Sequence, residues 1–204
     1  MITLKPNSAV TYIFRGIAYK QEGLYGQSIA DESRAIDIGT GYWDLAYAVR
    51  GAAYADTQRY AQSIMDLSMA IALKPGRAQP YYVRALAREE MGAHDQARGD
   101  YAWALVLLTT AIAAKPRDGL LYAERGLIYE RTGHKDQAIT DETHALALHC
   151  LHPAYAYVYR GLAYDSKGAH AMAVSDLQSA IRLDRFSRLE WDRMKRADSS
   201  KAPR

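Results

Sequence analysis

The chain has 204 residues, of which 49% are apolar and 24% are charged, with a formal net charge of +3. The excess positive charge lies after Arg182, and the remainder is close to neutral, which argues against a nucleic-acid-binding protein. The single cysteine, Cys150, excludes an internal disulfide framework.

The start of the chain shows no charged and apolar signal-peptide pattern. Instead, residues 2–6 repeat the pattern of residues 71–75, so residues 1–8 are predicted to be the remnant of a preceding repeat. The hypothesis is that further repeats, a targeting signal or another domain lie upstream in the natural product. The default location is cytoplasmic, and a periplasmic one stays open if an upstream signal has been lost.

A repeat becomes visible when the sequence is compared with itself. An arginine followed by a small residue recurs at spacings of 35, 34, 41 and 35 residues. A tyrosine stands three residues before each arginine, and a tyrosine or Arg88 stands four residues after it, which places these side chains on one helical face. An aspartate always follows sixteen residues after the arginine. The five pairs are Arg15 and Asp31, Arg50 and Asp66, Arg84 and Asp100, Arg125 and Asp141, and Arg160 and Asp176.

Each repeat also contains a second helix, marked by two small residues seven positions apart. Glycines between the two helices favour the left-handed conformation that ends a helix, except in the second repeat, where Gln58 takes that place. The small pairs are Ser28 and Ala35, Ser63 and Ala70, Ala97 and Ala104, Ala138 and Ala145, and Ala173 and Ala180.

The spacing of 41 residues from Arg84 to Arg125 is seven residues longer than the preceding spacing of 34, and seven residues are close to two helical turns. The third repeat is therefore predicted to have a longer second helix, from about Asp95 to Ala114, with its buried face still in register. Its 14 most apolar residues, 101–114, are too few to cross a bilayer, which needs about 20.

The combined pattern of Tyr, Arg-Gly, Tyr, Gly, Ala, Ala and Pro resembles the tetratricopeptide repeat, in the Arg-Gly variant of many bacterial members. The resemblance implies an all-α fold, a right-handed α-solenoid of about five helix-turn-helix repeats, whose first helices line a concave groove. Residues 1–185 form a single array in this interpretation. The expected repeats are about 9–43, 44–77, 78–118, 119–153 and 154–185.

Beyond the repeats, residues 186–196 are expected to form a capping helix with a polar outer face. The alternative is a basic amphipathic surface for lipid or an acidic partner. Residues 197–204 are expected to be a disordered tail.

The resemblance also implies a partner-binding groove on the first helices. An apolar lining with acidic residues farther along predicts an apolar partner with some basic character, although the next repeat or the cap could cover part of the lining. The expected groove residues are Ile13, Ile17, Ala48, Ala52, Tyr82, Leu86, Glu89, Ala123, Leu127, Glu130, Val158 and Leu162. The rim adds Asp56, Glu90 and Asp165, with Lys20 and Arg131 as basic exceptions.

The groove lacks the Lys, Arg and Asn set with which family members hold the carboxylate of heat-shock chaperones. The chain has one asparagine, Asn7, and so also lacks the asparagine ladder of the sugar-transferring members.

The arginines and aspartates favour a structural ladder rather than a ligand-binding track, because a residue present in every repeat serves a need of every repeat.

His144, His149, Cys150 and His152 have poor spacing for zinc, and no metal is predicted. His94 and His170 stand where other repeats have Tyr25 and Tyr60, which indicates a packing role. No catalytic motif and no cofactor are predicted.

The leading hypothesis is a non-catalytic scaffold that binds a peptide or amphipathic helix of another protein. One alternative is the regulatory or substrate-recruiting part of a larger enzyme or a secretion or envelope machine. Another is a self-associating module. No nucleic acid or membrane span is expected.

Overall fold

The structure is a computed structural model that describes residues 8–39, 41–150 and 152–183. The described residues form an all-α helical-repeat fold. The helices are α1 (Ala9–Gln21), α2 (Tyr25–Ile38), α3 (Trp43–Asp56), α4 (Tyr60–Leu73), α5 (Ala78–Glu90), α6 (His94–Ala114), α7 (Gly119–Arg131), α8 (Lys135–Ala147), α9 (Pro153–Ser166) and α10 (His170–Leu183). The predicted capping helix and tail lie outside the described residues. So does the predicted remnant of a preceding repeat, residues 1–8, apart from Ser8.

Two compact units divide the chain, one up to Leu107 and one from Leu108, with the boundary inside α6. In the first unit, α1 packs on α2 and α3 on α4. In the second unit, α7 packs on α8 and α9 on α10. First helices also contact one another directly, as α1 with α3, α3 with α5, and α7 with α9.

The second helices approach the first helices closely because their contacting side chains are small. Ser28, Ala35, Ser63 and Ala70 are buried in the first unit, as are Ala138, Ala145, Ala173 and Ala180 in the second. A methyl group added at Gly51 would lie only 2.8 Å from Leu67 Cγ, so glycine in the first helix is part of the same close contact.

The turn inside the second repeat keeps its shape without glycine. Gln58 has φ 61°, whereas Gly23 and Gly92 have φ 76° and 75° at the equivalent turns. A non-glycine residue rarely adopts this left-handed conformation, so Gln58 carries strain that the other turns avoid.

Helix α6 has 21 residues, seven more than the 14 residues of α2, α4 and α10. Buried positions continue along the added turns at Leu108 and Ile112. The longer helix thus keeps one face directed toward the protein interior.

Candidate interaction surface of the first helices

The arginines and aspartates of the ladder meet in every repeat. Each arginine donates from Nε and from Nη2 to the two carboxylate oxygens of its aspartate, at 2.7 to 3.0 Å. This two-bond geometry fixes the guanidinium plane and is strong because both partners are charged. The hydrogen bond that each arginine donates to its aspartate raises the pKa of Arg50, Arg125 and Arg160 above the ordinary value for arginine. Each pair joins the two helices of one repeat.

A third contact, which the sequence analysis did not anticipate, joins consecutive repeats. The Nη1 atom of Arg50 donates to the Ser33 hydroxyl at 2.9 Å, and Arg84 donates in the same way to Ser68. In the second unit, Arg125 donates to Thr109 and Arg160 to Thr143, both at 3.1 Å. The sequence pattern that indicates this contact is a serine or threonine two positions after Asp31, Asp66 and Asp141.

Aromatic rings flank the ladder arginines. The guanidinium carbon of Arg50 lies 5.5 Å from the Tyr47 ring centre and 6.0 Å from that of Tyr54. Such cation–π contacts attract the guanidinium to both rings. In the third repeat, Arg88 takes the place of the second tyrosine and donates to Asp100, which therefore pairs with two arginines.

Packing between neighbouring first helices removes part of the predicted groove. Ile13 is buried in a cluster with Ala9, Ala35 and Ala46. Ala48, Ala52 and Val158 are also buried, so these four predicted groove side chains do not offer a surface to a partner. The predicted groove residues that keep accessible surface are Ile17, Tyr82, Leu86, Glu89, Ala123, Leu127, Glu130 and Leu162.

Several acidic side chains of the groove and its rim already have partners within the chain. Asp56 forms an ion pair with Lys20 at 3.0 Å, and Glu130 forms one with Lys135 at 2.9 Å. The Asp165 carboxylate lies 2.8 Å from His170 Nδ1, and Glu89 accepts a hydrogen bond from the Tyr101 hydroxyl. These four carboxylates are engaged within the chain, which reduces their attraction for a basic partner.

A cavity opens on the first-helix surface of the second unit, between α7 and α9. Its volume is about 180 Å³. A cavity of about 150 Å³ with apolar walls holds a benzene molecule, so the size suits one apolar side chain. The lining residues are Leu120, Ala123, Glu124, Leu127, Cys150, His152, Tyr155, Ala156 and Tyr159.

Glu124 is the acidic group in this lining. Burial raises the pKa of its carboxyl above the ordinary value, and the nearby Asp118 raises it further. Both effects disfavour the ionised form. A cation placed beside Glu124 would favour the ionised form again.

Comparisons with known proteins agree with this geometry. The family model of the tetratricopeptide repeat matches residues 154–186, which cover α9 from its second residue and all of α10. These residues are therefore similar to one tetratricopeptide repeat. No curated protein sequence matches the chain significantly.

Solved structures show where else this tetratricopeptide fold occurs. The chain is similar to a thermophilic tetratricopeptide protein of Thermus thermophilus, with 19% identity and a TM-score of 0.70 over 91% of this chain and 97% of that one. It is also similar to a chain of the APC/C hetero-tetramer Cut9–Hcn1, with 21% identity and a TM-score of 0.66 over 89% of this chain. It spans 34% of that chain's length. The tetratricopeptide fold supports a protein–protein interaction scaffold in general.

The histidines and the cysteine near the end of the fourth tetratricopeptide repeat do not come together. The His144 ring stacks on Tyr122, and His152 packs edge-on to Tyr155. His149 is exposed in the turn, whereas Cys150 is buried. Across residues 8–39, 41–150 and 152–183, no three His, Cys, Asp or Glu side chains converge as metal ligands.

Leu120, Glu124, Tyr155 and Tyr159 line the cavity although the sequence analysis did not include them in the groove. The predicted groove residues Ala123 and Leu127 also line the cavity, whereas Val158, the predicted neighbour of Tyr159, is buried. The register of the helix relative to its neighbours decides which of two adjacent residues faces outward.

In the described part of the chain, no helix has the length and apolar character required to cross a membrane.

Proposed function

We propose that the chain is a non-catalytic scaffold whose second unit binds a partner protein by inserting one apolar side chain of that partner into the cavity between α7 and α9. The observation that carries this proposal is the cavity itself, which combines aliphatic and tyrosine walls with a volume of about 180 Å³. Burial of an apolar side chain stabilises a complex by about 1.5 to 3 kcal/mol. The repeated arginines and aspartates already serve the ladder.

The electrostatics of the cavity favour a partner with a basic residue next to its apolar anchor. Glu124 lies in the cavity wall, and its raised pKa reflects poor solvation of its charged form. A lysine or arginine of the partner would supply the missing counter-charge. The engaged carboxylates of Asp56, Glu130 and Asp165 contribute less, so the basic preference is expected to be local rather than spread along the groove.

The test uses peptides selected from a random display library on the wild-type chain, followed by fluorescence anisotropy. Leu120→Glu places a carboxylate at the cavity, and its side chain is 41% exposed in the wild type, so the fold tolerates the change. We expect the Kd of a selected peptide to rise at least tenfold, which is about 1.4 kcal/mol. Leu24→Glu is the matched control, because Leu24 is 43% exposed and lies outside the cavity.

The same peptides also test the partner's chemistry. Replacing a lysine beside the apolar anchor with glutamine is expected to weaken binding to the wild type and to leave binding to Glu124→Gln unchanged. Peptides that bind Leu120→Glu as tightly as Leu24→Glu would contradict the cavity as the binding site. A selection that enriches no peptide at all would contradict peptide binding.

A further inference from the structure

Two repeats carry an ionisable residue where the others carry an apolar or aromatic one. The position after the ladder aspartate is Leu67, Tyr101 or Leu177 in three repeats, but it is Glu32 in the first and Glu142 in the fourth. All five side chains are buried. The two glutamates therefore occupy core positions of the hairpins α1–α2 and α7–α8.

Both glutamate side chains are enclosed without polar partners. Each is 0% exposed, and neither carboxylate oxygen of Glu32 or of Glu142 has a hydrogen-bond partner. Each carboxyl lies directly against a glycine of the first helix. A methyl group at Gly126 would lie 2.7 Å from Glu142 Oε1, and one at Gly16 would overlap Glu32 Oε1. The missing side chain of the glycine thus makes the space that the carboxyl fills.

The charges nearby do not compensate for a negative charge on either carboxyl. Asp31, which is paired with Arg15, adjoins Glu32 on α2, and Arg50 on α3, which favours a charge on Glu32, is already paired with Asp66.

In the other hairpin, Glu142 faces Asp141 on its own helix, Glu130 on α7 and Arg160 on α9, which is bonded to Asp176. Burial raises the pKa of both glutamates to about 9, and the adjacent aspartates add to the increase. A buried carboxylate without a partner is unfavourable, and the neutral acid is favoured instead.

We propose that Glu32 and Glu142 are two proton-dependent locks: the hairpins α1–α2 and α7–α8 each close around a neutral carboxylic acid, and loss of that proton loosens the hairpin. In the unfolded chain, a glutamate ionises near its ordinary pKa of about 4.3. Above that pH, the folded hairpin holds a proton that the unfolded chain has released. Stability is therefore full at acidic pH and falls as the pH rises toward the folded-state pKa.

Urea unfolding between pH 5 and pH 8 tests this proposal. In the wild type, the unfolding equilibrium constant is expected to increase by up to about tenfold per pH unit for each carboxyl. Glu32→Gln and Glu142→Gln have the same shape without the titration, so each is expected to remove its share of this slope and to stabilise the protein more at pH 8 than at pH 5. Glu90→Gln, at an exposed position, is the control and is expected to keep the wild-type slope.

Two further measurements make the test independent of one variant. Glu32→Leu and Glu142→Leu introduce the residue that Leu67 and Leu177 already place beside a glycine, so they serve if a glutamine variant fails to fold. Carbon-13 NMR of the wild-type glutamate carboxyls reads the titration directly. Two carboxyls that titrate above pH 7.5 support the proposal. Titration of every glutamate near pH 4.3, or equal pH slopes in the wild type and the double glutamine variant, would overturn it.

Discussion

At the scale of single residues, four of the five ladder arginines, from Arg50 to Arg160, each connect three elements. In Arg125, two nitrogens hold Asp141 on α8, the third contacts Thr109 on α6, and the ring centres of Tyr122 and Tyr129 lie 5.9 Å and 5.8 Å from the guanidinium carbon. Lysine has one ammonium group and cannot reproduce this planar arrangement. The arginine therefore sets the geometry inside a repeat and between repeats at once.

The residue-scale prediction is that Arg125→Lys destabilises the protein by about 2 kcal/mol, because lysine keeps the charge but cannot make both hydrogen bonds to Asp141 and the contact with Thr109 at once. Arg15→Lys is the matched comparison. The side chain of Arg15 is 52% exposed, against 17% for Arg125, so its loss is expected to be clearly smaller. Urea denaturation measures both. Equal losses would show that the exposure of the pair does not govern its contribution.

At the scale of elements, the seven added residues of α6 preserve a helical register. Thr109 is nine residues after Asp100, whereas Ser33 and Ser68 are two residues after their aspartates, and the difference is seven. Seven residues turn a helix by about 700°, which is within about 20° of two full turns. The Thr109 hydroxyl consequently meets Arg125 of the next repeat, as Ser33 meets Arg50 and Ser68 meets Arg84.

The element-scale prediction concerns deletions in α6. Removal of residues 102–108 brings Thr109 to the second position after Asp100, and this variant is expected to keep its helix content and a cooperative urea transition. Removal of residues 102–106 rotates the following turns by about 140° from their register. That variant is expected to lose helix content in the second unit. Circular dichroism compares the two, and similar spectra for both deletions would contradict the role of register.

At the scale of the whole molecule, helices pack on elements close to them in the chain. In the first unit, α3 contacts α1, α2, α4 and α5. In the second unit, α9 contacts α7, α8 and α10. In such repeat proteins, stability is approximately the sum of repeat and neighbour terms rather than one global term.

The corresponding prediction is that damage in one unit stays local. Arg50→Ala is expected to speed amide hydrogen exchange in α3, α4 and the neighbouring α2, and to leave α8, α9 and α10 near their wild-type rates. Hydrogen-exchange mass spectrometry resolves these helices as separate peptides. Equal acceleration in α4 and α9 would mean that the chain unfolds as one cooperative block.

Much of this architecture was readable from the sequence because its determinants are local. The tyrosine–arginine spacing, the aspartate sixteen residues later and the alanine pairs predicted helical hairpins of the tetratricopeptide type. They did so because a helix turns by a constant angle and a hairpin brings fixed sequence separations together. The acidic rim was a weaker inference, since charge counts do not reveal that Lys20 and Lys135 are already paired with rim carboxylates.

Sequence alone thus determined the repeat, its two helices and the ladder, all of which depend on neighbours within about 16 residues of one another. Tertiary structure alone decided which side chains of the first helices remain accessible, because contact between α1 and α3 and between α7 and α9 covers Ile13 and Val158 and leaves Leu120 exposed. The tertiary structure also decided that the side chains of Glu32 and Glu142 are buried away from solvent. Burial is a property of packing from several elements, and an acidic residue in a helix has the same local pattern whether it faces solvent or a glycine.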